Sequence, residues 1–215
     1  MSLIYLVRHG ETNHNAEARG LGRADVPLSP LGLQQAAALA RRFKRVPLDE
    51  IATSPLQRAL AVARAIAAPH GLPAEILPEL TELDVGYTEG LTYPEIRQRF
   101  PEFFAAWSGH DPTSVCMPGG ESLAALAARL ELLAADLIHG PERVILIVSH
   151  NFTLRILVCL LLGIPIINFR NFRLDLASVT TISVQHRRAA IQALNDTSHL
   201  ESTLNLAGPA RSVST

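Results

Sequence analysis

The sequence predicts an α/β fold: a three-layer α/β/α sandwich with a mostly parallel central sheet and a small helical cap insertion. Three observations lead there. Short apolar runs rich in β-branched residues alternate with alanine- and leucine-rich segments of helical length, the pattern of strand–helix–strand units. Two adjacent runs near the end, Ser178 to Gln185 and Ala189 to Leu194, flank a basic turn and predict an antiparallel hairpin. From about 86 to 120 the alternation gives way to prolines, short helical pieces and the aromatics Phe100, Phe103, Phe104 and Trp107. That stretch is read as an insertion capping the sheet.

Leu3 to Val7 is a short apolar run that stops at Arg8-His9-Gly10, as a buried strand ending in a loop does. Pro27-Leu28-Ser29-Pro30 forms a turn with a helix cap, and Leu31 to Phe43 reads as the helix it starts. Asp49 to Thr53 is the next strand. Ser54-Pro55 then offers an N-cap and a first-turn proline for a helix reaching about Ala67. A helix from about Ser122 to Leu137 precedes the strongly apolar strand Val144 to Val148, which Ser149-His150 closes before another helix. The expected domain spans 1–195, with 196–215 a mobile Ser/Thr-rich tail.

With 19 Lys and Arg against 20 Asp and Glu, the formal net charge is −1. No global field draws the chain to nucleic acid or to an anionic membrane, although a local cationic cluster can still hold an anionic substrate. Leu154 to Ile167 is the longest apolar stretch. Arg155 interrupts its start and Gly163-Ile164-Pro165 its end, so it reads as a buried helix rather than a membrane span. The start of the chain lacks the pattern of a signal peptide. Cys116 and Cys159 have neither disulfide nor metal spacing, which points to packing roles in a reducing compartment. A soluble, cytoplasmic protein is the expectation, with no cofactor and no metal ligands.

Ligand sites in open α/β sheets form at the carboxyl ends of strands. His9 follows the first strand, His150 a later one, and Arg58 lies early in the helix after a third. Taken singly, each is more often structural: a hydrogen-bonded histidine, a solvated arginine. Together they suit a phosphate. Arginine offers a planar fork for two phosphate oxygens and keeps its charge. A neutral imidazole is a competent nucleophile toward phosphorus when its other nitrogen donates to a fixed acceptor. The surrounding cations stabilise the transferring group, and an Asp or Glu at the rim can protonate the leaving oxygen.

The motifs carry a family resemblance. Leu6-Val7-Arg8-His9-Gly10-Glu11-Thr12 with Asn15, Gly22-Arg23-Ala24-Asp25-Val26-Pro27-Leu28-Ser29 with Gly32, and Thr53-Ser54-Pro55-Leu56-Gln57-Arg58-Ala59 appear in order. Leu80-Thr81-Glu82-Leu83 with Gly86 and Glu89-Gly90, Pro118-Gly119-Gly120-Glu121-Ser122 and Val148-Ser149-His150 follow. Over residues 3 to 185 the chain resembles the histidine phosphatase superfamily, also called phosphoglycerate mutase-like. The resemblance implies a phosphohistidine at His9, phosphoryl binding by Arg8, Arg58 and His150 with help from Asn15, and Glu82 as proton donor. Thr12 is left between phosphate donor and helix cap, and Glu11 between orienting the pocket and capping the following helix.

Family members divide into phosphatases and 2,3-bisphosphoglycerate-dependent mutases. Mutases resembling this chain follow the acid with basic and aromatic residues and carry a longer insertion; here Leu83-Asp84-Val85 follows Glu82. A carboxylate at Asp84 repels a bisphosphate, so the expectation is a histidine-type acid phosphatase acting on a small phosphomonoester. The phosphoglycerate mutase is the alternative, and a non-catalytic module that binds phospho-ligands is the alternative of another class. Leu21 stands before Gly22 where relatives often carry a polar residue that meets substrate, and Asn151 follows His150 where glycine is common; Leu21, Gly22 and Asn151 are further candidate contacts. Thr88 stands where relatives often carry tryptophan. Tyr93, Phe103, Phe104 and Trp107 either meet an apolar leaving group or pack as core.

Overall fold

The computed structural model describes residues 1–201. A single six-stranded sheet forms its centre, in the spatial order β3-β2-β4-β1-β5-β6. β1 (Ser2–Arg8), β2 (Glu50–Thr53), β3 (Glu75–Ile76) and β4 (Val144–Ser149) are mutually parallel. β5 (Val179–Gln185) runs antiparallel to β1, and β6 (Arg188–Asp196) antiparallel to β5, so the expected hairpin closes one edge. The mostly parallel sheet matches the sequence reading. The central strand β4 is buried on both faces at Ile145 to Ser149, as a continuous apolar run requires. Strand β6, at the edge, shows the alternating burial of a strand with one wet face.

The helices lie in two layers. α2 (Pro30–Phe43) and α3 (Gln57–Ala67) pack with Val7, Ile51, Leu146, Val148 and Val179 on one face. α6 (Leu123–His139) and α7 (Asn151–Leu162) pack with Ile4, Leu6, Ile145, Ile147 and Ile182 on the other. Periodicity explains both. α2 buries Ala36, Leu39 and Phe43, and α6 buries Leu123, Leu126, Ala127, Leu130, Ala134 and Leu137, each a stripe at helical spacing. α7 buries Thr153, Leu154 and Ile156 through Cys159, nearly its whole circumference, because it also carries the 3-10 turn Ile166–Asn171.

Ser29 caps α2, its hydroxyl accepting from the Gly32 amide at 3.1 Å. Gly32 is required by proximity, since a Cβ there would lie 2.1 Å from the Glu11 carbonyl oxygen. The short α1 (Asn13–Ala16) and the two-residue β3 were not visible in the sequence pattern. Between 86 and 120 lie a 3-10 turn at Gly86–Thr88, α4 (Tyr93–Arg99) and α5 (Pro101–Trp107).

The expected tail divides. Residues 196–201 are docked: Arg42 pairs with Asp196 at 2.7 Å, His199 meets the Ala177 carbonyl, and Leu200 is buried. The remainder, 202–215, lies outside the described residues.

Candidate active site

The sheet register explains why distant residues meet. β1 and β4 are parallel neighbours with Arg8 opposite Ser149, so the next residues, His9 and His150, leave the sheet side by side. Their ring centroids are 5.1 Å apart. β2 flanks β4 on its other side with Thr53 opposite Val148, which brings Ser54 to the same edge. Arg58 follows in the first turn of α3 and is fully buried.

His9 Nδ1 lies 2.7 Å from the Gly10 carbonyl oxygen. A carbonyl only accepts, so Nδ1 carries the proton and Nε2 the lone pair. Burial, followed by the charges of Arg58 and Arg8, holds His9 well below the usual histidine range. His150 is lowered in the same way, by burial first and then by Arg58, His9 and Arg8. Both rings are therefore neutral at ordinary pH. Burial also pushes the Arg8 guanidinium down to about 10, which leaves it cationic. Its Nη1 is anchored on the Leu174 carbonyl at 2.6 Å.

Arg58 is fixed by two carbonyls. Nη1 donates to Ala24 at 2.7 Å and Nη2 to Gly22 at 2.6 Å. The loop that offers them is held in turn by Glu89, whose carboxylate accepts from the Gly22 and Ala24 amides at 2.8 and 3.0 Å. Gly22 is tightly packed; a Cβ would come within 2.7 Å of the Leu83 carbonyl oxygen and of Val85.

Glu82 sits buried at the N-terminus of α7. Oε1 accepts from the Leu83 amide at 2.9 Å and the Thr153 amide at 3.1 Å; Oε2 accepts from the Phe152 amide at 3.2 Å. The Thr153 hydroxyl lies 2.9 Å from the Thr81 carbonyl and 3.1 Å from Glu82 Oε1. It has one proton, which it shares between these two acceptors. The segment is clamped by Arg129 of α6, whose Nη2 donates to the Thr81 carbonyl at 2.6 Å while Nε pairs with Glu121 at 2.9 Å.

Other candidates fall elsewhere. Thr12 and Asn15 are turned toward each other: Thr12 caps α1, and its amide and hydroxyl both meet Asn15 Oδ1, at 3.1 and 2.9 Å. Glu11 does not cap α1; it accepts from the Ser29 hydroxyl at 2.8 Å and so ties the β1 loop to the start of α2. Ser54 is not the N-cap of α3, which begins at Gln57. Its hydroxyl is 2.7 Å from His150 Nε2, and Asp25 instead accepts from the Gln57 amide at 2.7 Å. Asp84 is engaged by Arg23 at 3.5 Å and by the Gly86 amide at 3.0 Å, so part of its expected repulsion is already neutralised.

Leu21 lines an apolar cavity of about 190 Å³ with Val85, Thr88, Tyr93, Phe103, Phe104, Trp107 and Phe152. Phe103 and Trp107 also pack on the core. Asn151 opens α7, with a buried Oδ1 that has no partner. Among the described residues, seven buried side-chain polar atoms lack partners, and five belong to Arg8, Arg58, His150, Asn151 and Arg155. Unpaired polar atoms are costly, and here they gather at one edge of the sheet, where an anion can pair with the donors. Arg129 and Thr153 lie outside the motifs, and Ser54 and Glu89 lie within them without an assigned role; only their contacts show what they do.

The fold and this edge define an α/β enzyme with a histidine–arginine centre. The chain belongs to the histidine phosphatase superfamily (branch 1), whose pattern matches residues 4–197. It is similar to phosphoserine phosphatase 1 of Hydrogenobacter thermophilus, 35% identical over 93% of this chain and 95% of the relative. A probable phosphoglycerate mutase of Enterobacter sp. is 34% identical, with 94% and 96% covered. The crystal structure of a putative α-ribazole-5′-P phosphatase from Escherichia coli superposes with a TM-score of 0.84 at 31% identity, covering 91% of this chain and 96% of that one. The protein is an enzyme, a phosphatase of this family. No described helix is long and apolar enough to cross a membrane.

Proposed function

We propose that this protein hydrolyses a small phosphomonoester through a phosphohistidine formed on His9. The observation that carries the reading is the bond from His9 Nδ1 to Gly10, which leaves Nε2 with its lone pair among Arg8, Arg58 and His150. In the first step Nε2 attacks phosphorus, the ester P–O bond breaks, and Glu82 gives its proton to the leaving alkoxide. The Thr153 hydroxyl and the Leu83, Phe152 and Thr153 amides all donate to Glu82, which fixes its orientation toward the ester and supports the carboxylate left behind. In the second step that carboxylate takes a proton from water, the water oxygen bonds to phosphorus, the N–P bond breaks, and phosphate departs. Arg8 and Arg58 balance the charge of the transferring group throughout. Leu21, Gly22, Asn151, Asn15 and Thr12 belong to the surrounding substrate region in this reading.

The test is a rapid alkaline quench with phosphorus-labelled substrate. An acid-labile, base-stable label on the wild type, absent from His9→Ala along with turnover, is the expected result. Normal hydrolysis by His9→Ala overturns the assignment. The similarity to a probable phosphoglycerate mutase favours a second reading, separated by following 3-phosphoglycerate with and without 2,3-bisphosphoglycerate. Isomerisation that needs the bisphosphate supports the mutase; release of inorganic phosphate supports the phosphatase. The two unpaired cysteines, Cys116 exposed and Cys159 buried, support a reducing, cytoplasmic setting.

A further inference from the structure

Among the sequence motifs, Pro118-Gly119-Gly120-Glu121-Ser122 is the one to which the two-step scheme gives no task. Its turn is built against the segment that follows Glu82. A Cβ on Gly120 would lie 2.2 Å from the Asp84 carbonyl oxygen, and one on Gly86 2.2 Å from the Pro118 carbonyl oxygen. Glycine at both positions lets the two backbones meet. They are then joined: the Glu121 amide donates to the Asp84 carbonyl at 2.9 Å, and the Tyr87 amide to the Pro118 carbonyl at 2.7 Å.

That approach delivers the Glu121 side chain, only 12% exposed, to two arginines. Oε1 accepts from Arg129 Nε at 2.9 Å; Oε2 accepts from Arg129 Nη2 at 3.3 Å and from the Asp84 amide at 3.2 Å. A carboxylate that takes two donors of one guanidinium fixes its plane. So aimed, Arg129 donates to the carbonyls of Glu79, Thr81 and Glu82, the last two at 2.6 and 3.2 Å. Glu82 is therefore held twice, through its carboxylate by the α7 amides and through its backbone by Arg129. Oε2 also meets Arg23 Nη2 at 3.4 Å, beside the Gly22 and Ala24 carbonyls that hold Arg58. Arg23 is nearly half exposed and its contact is long, so this arm is the weaker.

We propose that Glu121 is a positioning residue for the general acid: it fixes the Arg129 guanidinium, which holds the Glu82 backbone so that the carboxyl meets the leaving oxygen. This rests on the phosphatase reading above. Carbonyls alone satisfy the donors of Arg129 but leave its charge unbalanced, and Glu121 supplies the countercharge. Without it the guanidinium is free to turn, and the acid segment loses its backbone clamp.

The test measures kcat on an alkyl phosphate, glycerol 3-phosphate, and on p-nitrophenyl phosphate, whose leaving group needs no proton. The alkyl-to-nitrophenyl ratio, taken on one preparation, is independent of the fraction folded. Glu121→Ala is expected to lower that ratio about 10- to 100-fold, the cost of a misplaced catalytic group. Glu121→Gln, which keeps one acceptor for Arg129, should lower it less. Arg129→Met should lower it too, and adding Glu121→Ala to that variant should lower it no further, because both act through one contact. Arg23→Ala should leave it unchanged. An unchanged ratio in Glu121→Ala assigns Glu121 to the fold alone and overturns the proposal, whatever the thermal midpoint does. So does a further fall in the Arg129→Met background, or an equal fall in Arg23→Ala, since Glu121 then acts by another route. Each of these leaves the phosphatase reading standing if Glu82→Gln lowers the ratio. If Glu82→Gln does not, or if the wild type releases phosphate from neither substrate, the acid assignment ends and this proposal with it.

Discussion

At the scale of single residues, the chemistry turns on which atoms are left available. His9 spends Nδ1 on Gly10 and keeps Nε2, whereas Thr12 spends its polar atoms on Asn15 at the cap of α1. Removing the nucleophile in His9→Ala is expected to cost about four orders of magnitude or more in kcat, as loss of a covalent nucleophile does; steady-state assay checks it. Glu82→Gln is expected to slow hydrolysis about 10²- to 10⁴-fold for alkyl phosphates. The loss should be much smaller for p-nitrophenyl phosphate, whose leaving group needs no proton. Equal losses on both would remove Glu82 from the acid role. Thr153→Val, which deletes the hydroxyl beside Oε1, should show the same leaving-group dependence in milder form. Because the Arg58, Arg8, His9 and Glu82 side chains offer the charges and protons this scheme needs, EDTA is expected to leave activity unchanged. Loss in EDTA with recovery on adding a divalent ion would count against it.

Elements matter here mainly as supports. Arg129 reaches from α6 to the carbonyls of Thr81 and Glu82, and Glu89 reaches from the cap segment to the loop whose carbonyls hold Arg58. Glu89→Gln keeps an acceptor but loses half of the pairing with two amides. It is expected to raise KM several-fold through Arg58, by roughly the 1 kcal/mol that one hydrogen bond contributes. Unchanged KM would mean the loop holds itself. Some of this was legible beforehand. Ser29-Pro30 announced α2 because a cap and a first-turn proline are local chemistry. Ser54-Pro55 wrote the same signal and misled, since the Ser54 hydroxyl meets His150, just past β4, and the Leu56 amide, while Asp25 takes the amide of Gln57. A cap is decided by whichever partner is nearest in space, and the sequence lists only neighbours along the chain.

For the whole molecule, burying neutral histidines couples stability to pH. His9 and His150 are both held well below the usual histidine range by burial and by the adjacent arginines. Unfolded, each binds a proton below about pH 6.5; folded, it does not until much lower. The unfolded state therefore takes up more protons as pH falls. The stability these groups allow is intact above about 6.5 and declines below it, until the folded values are reached. Denaturant titrations are expected to show a loss of about 1.4 kcal/mol per pH unit for each such ring. His9→Gln should make that slope shallower by one ring's share. The same lowering keeps the His9 lone pair available in mild acid, so kcat/KM should not fall with a histidine-like limb near pH 6.5.

The main strands and helices (α1 and β3 excepted), the apolar faces of α2 and α6, the terminal hairpin and the residue types of the candidate site were determined by the sequence itself, because periodicity and local turn chemistry are properties of the chain. Strand order was not. Only pairing β4 between β1 and β2 brings His9, Ser54 and His150 to one edge, and only packing gives Arg155 an aromatic pocket instead of a place in an apolar helix. Burial then sets the charge on both histidines. Such effects depend on distances through space, and the tertiary structure alone supplies those.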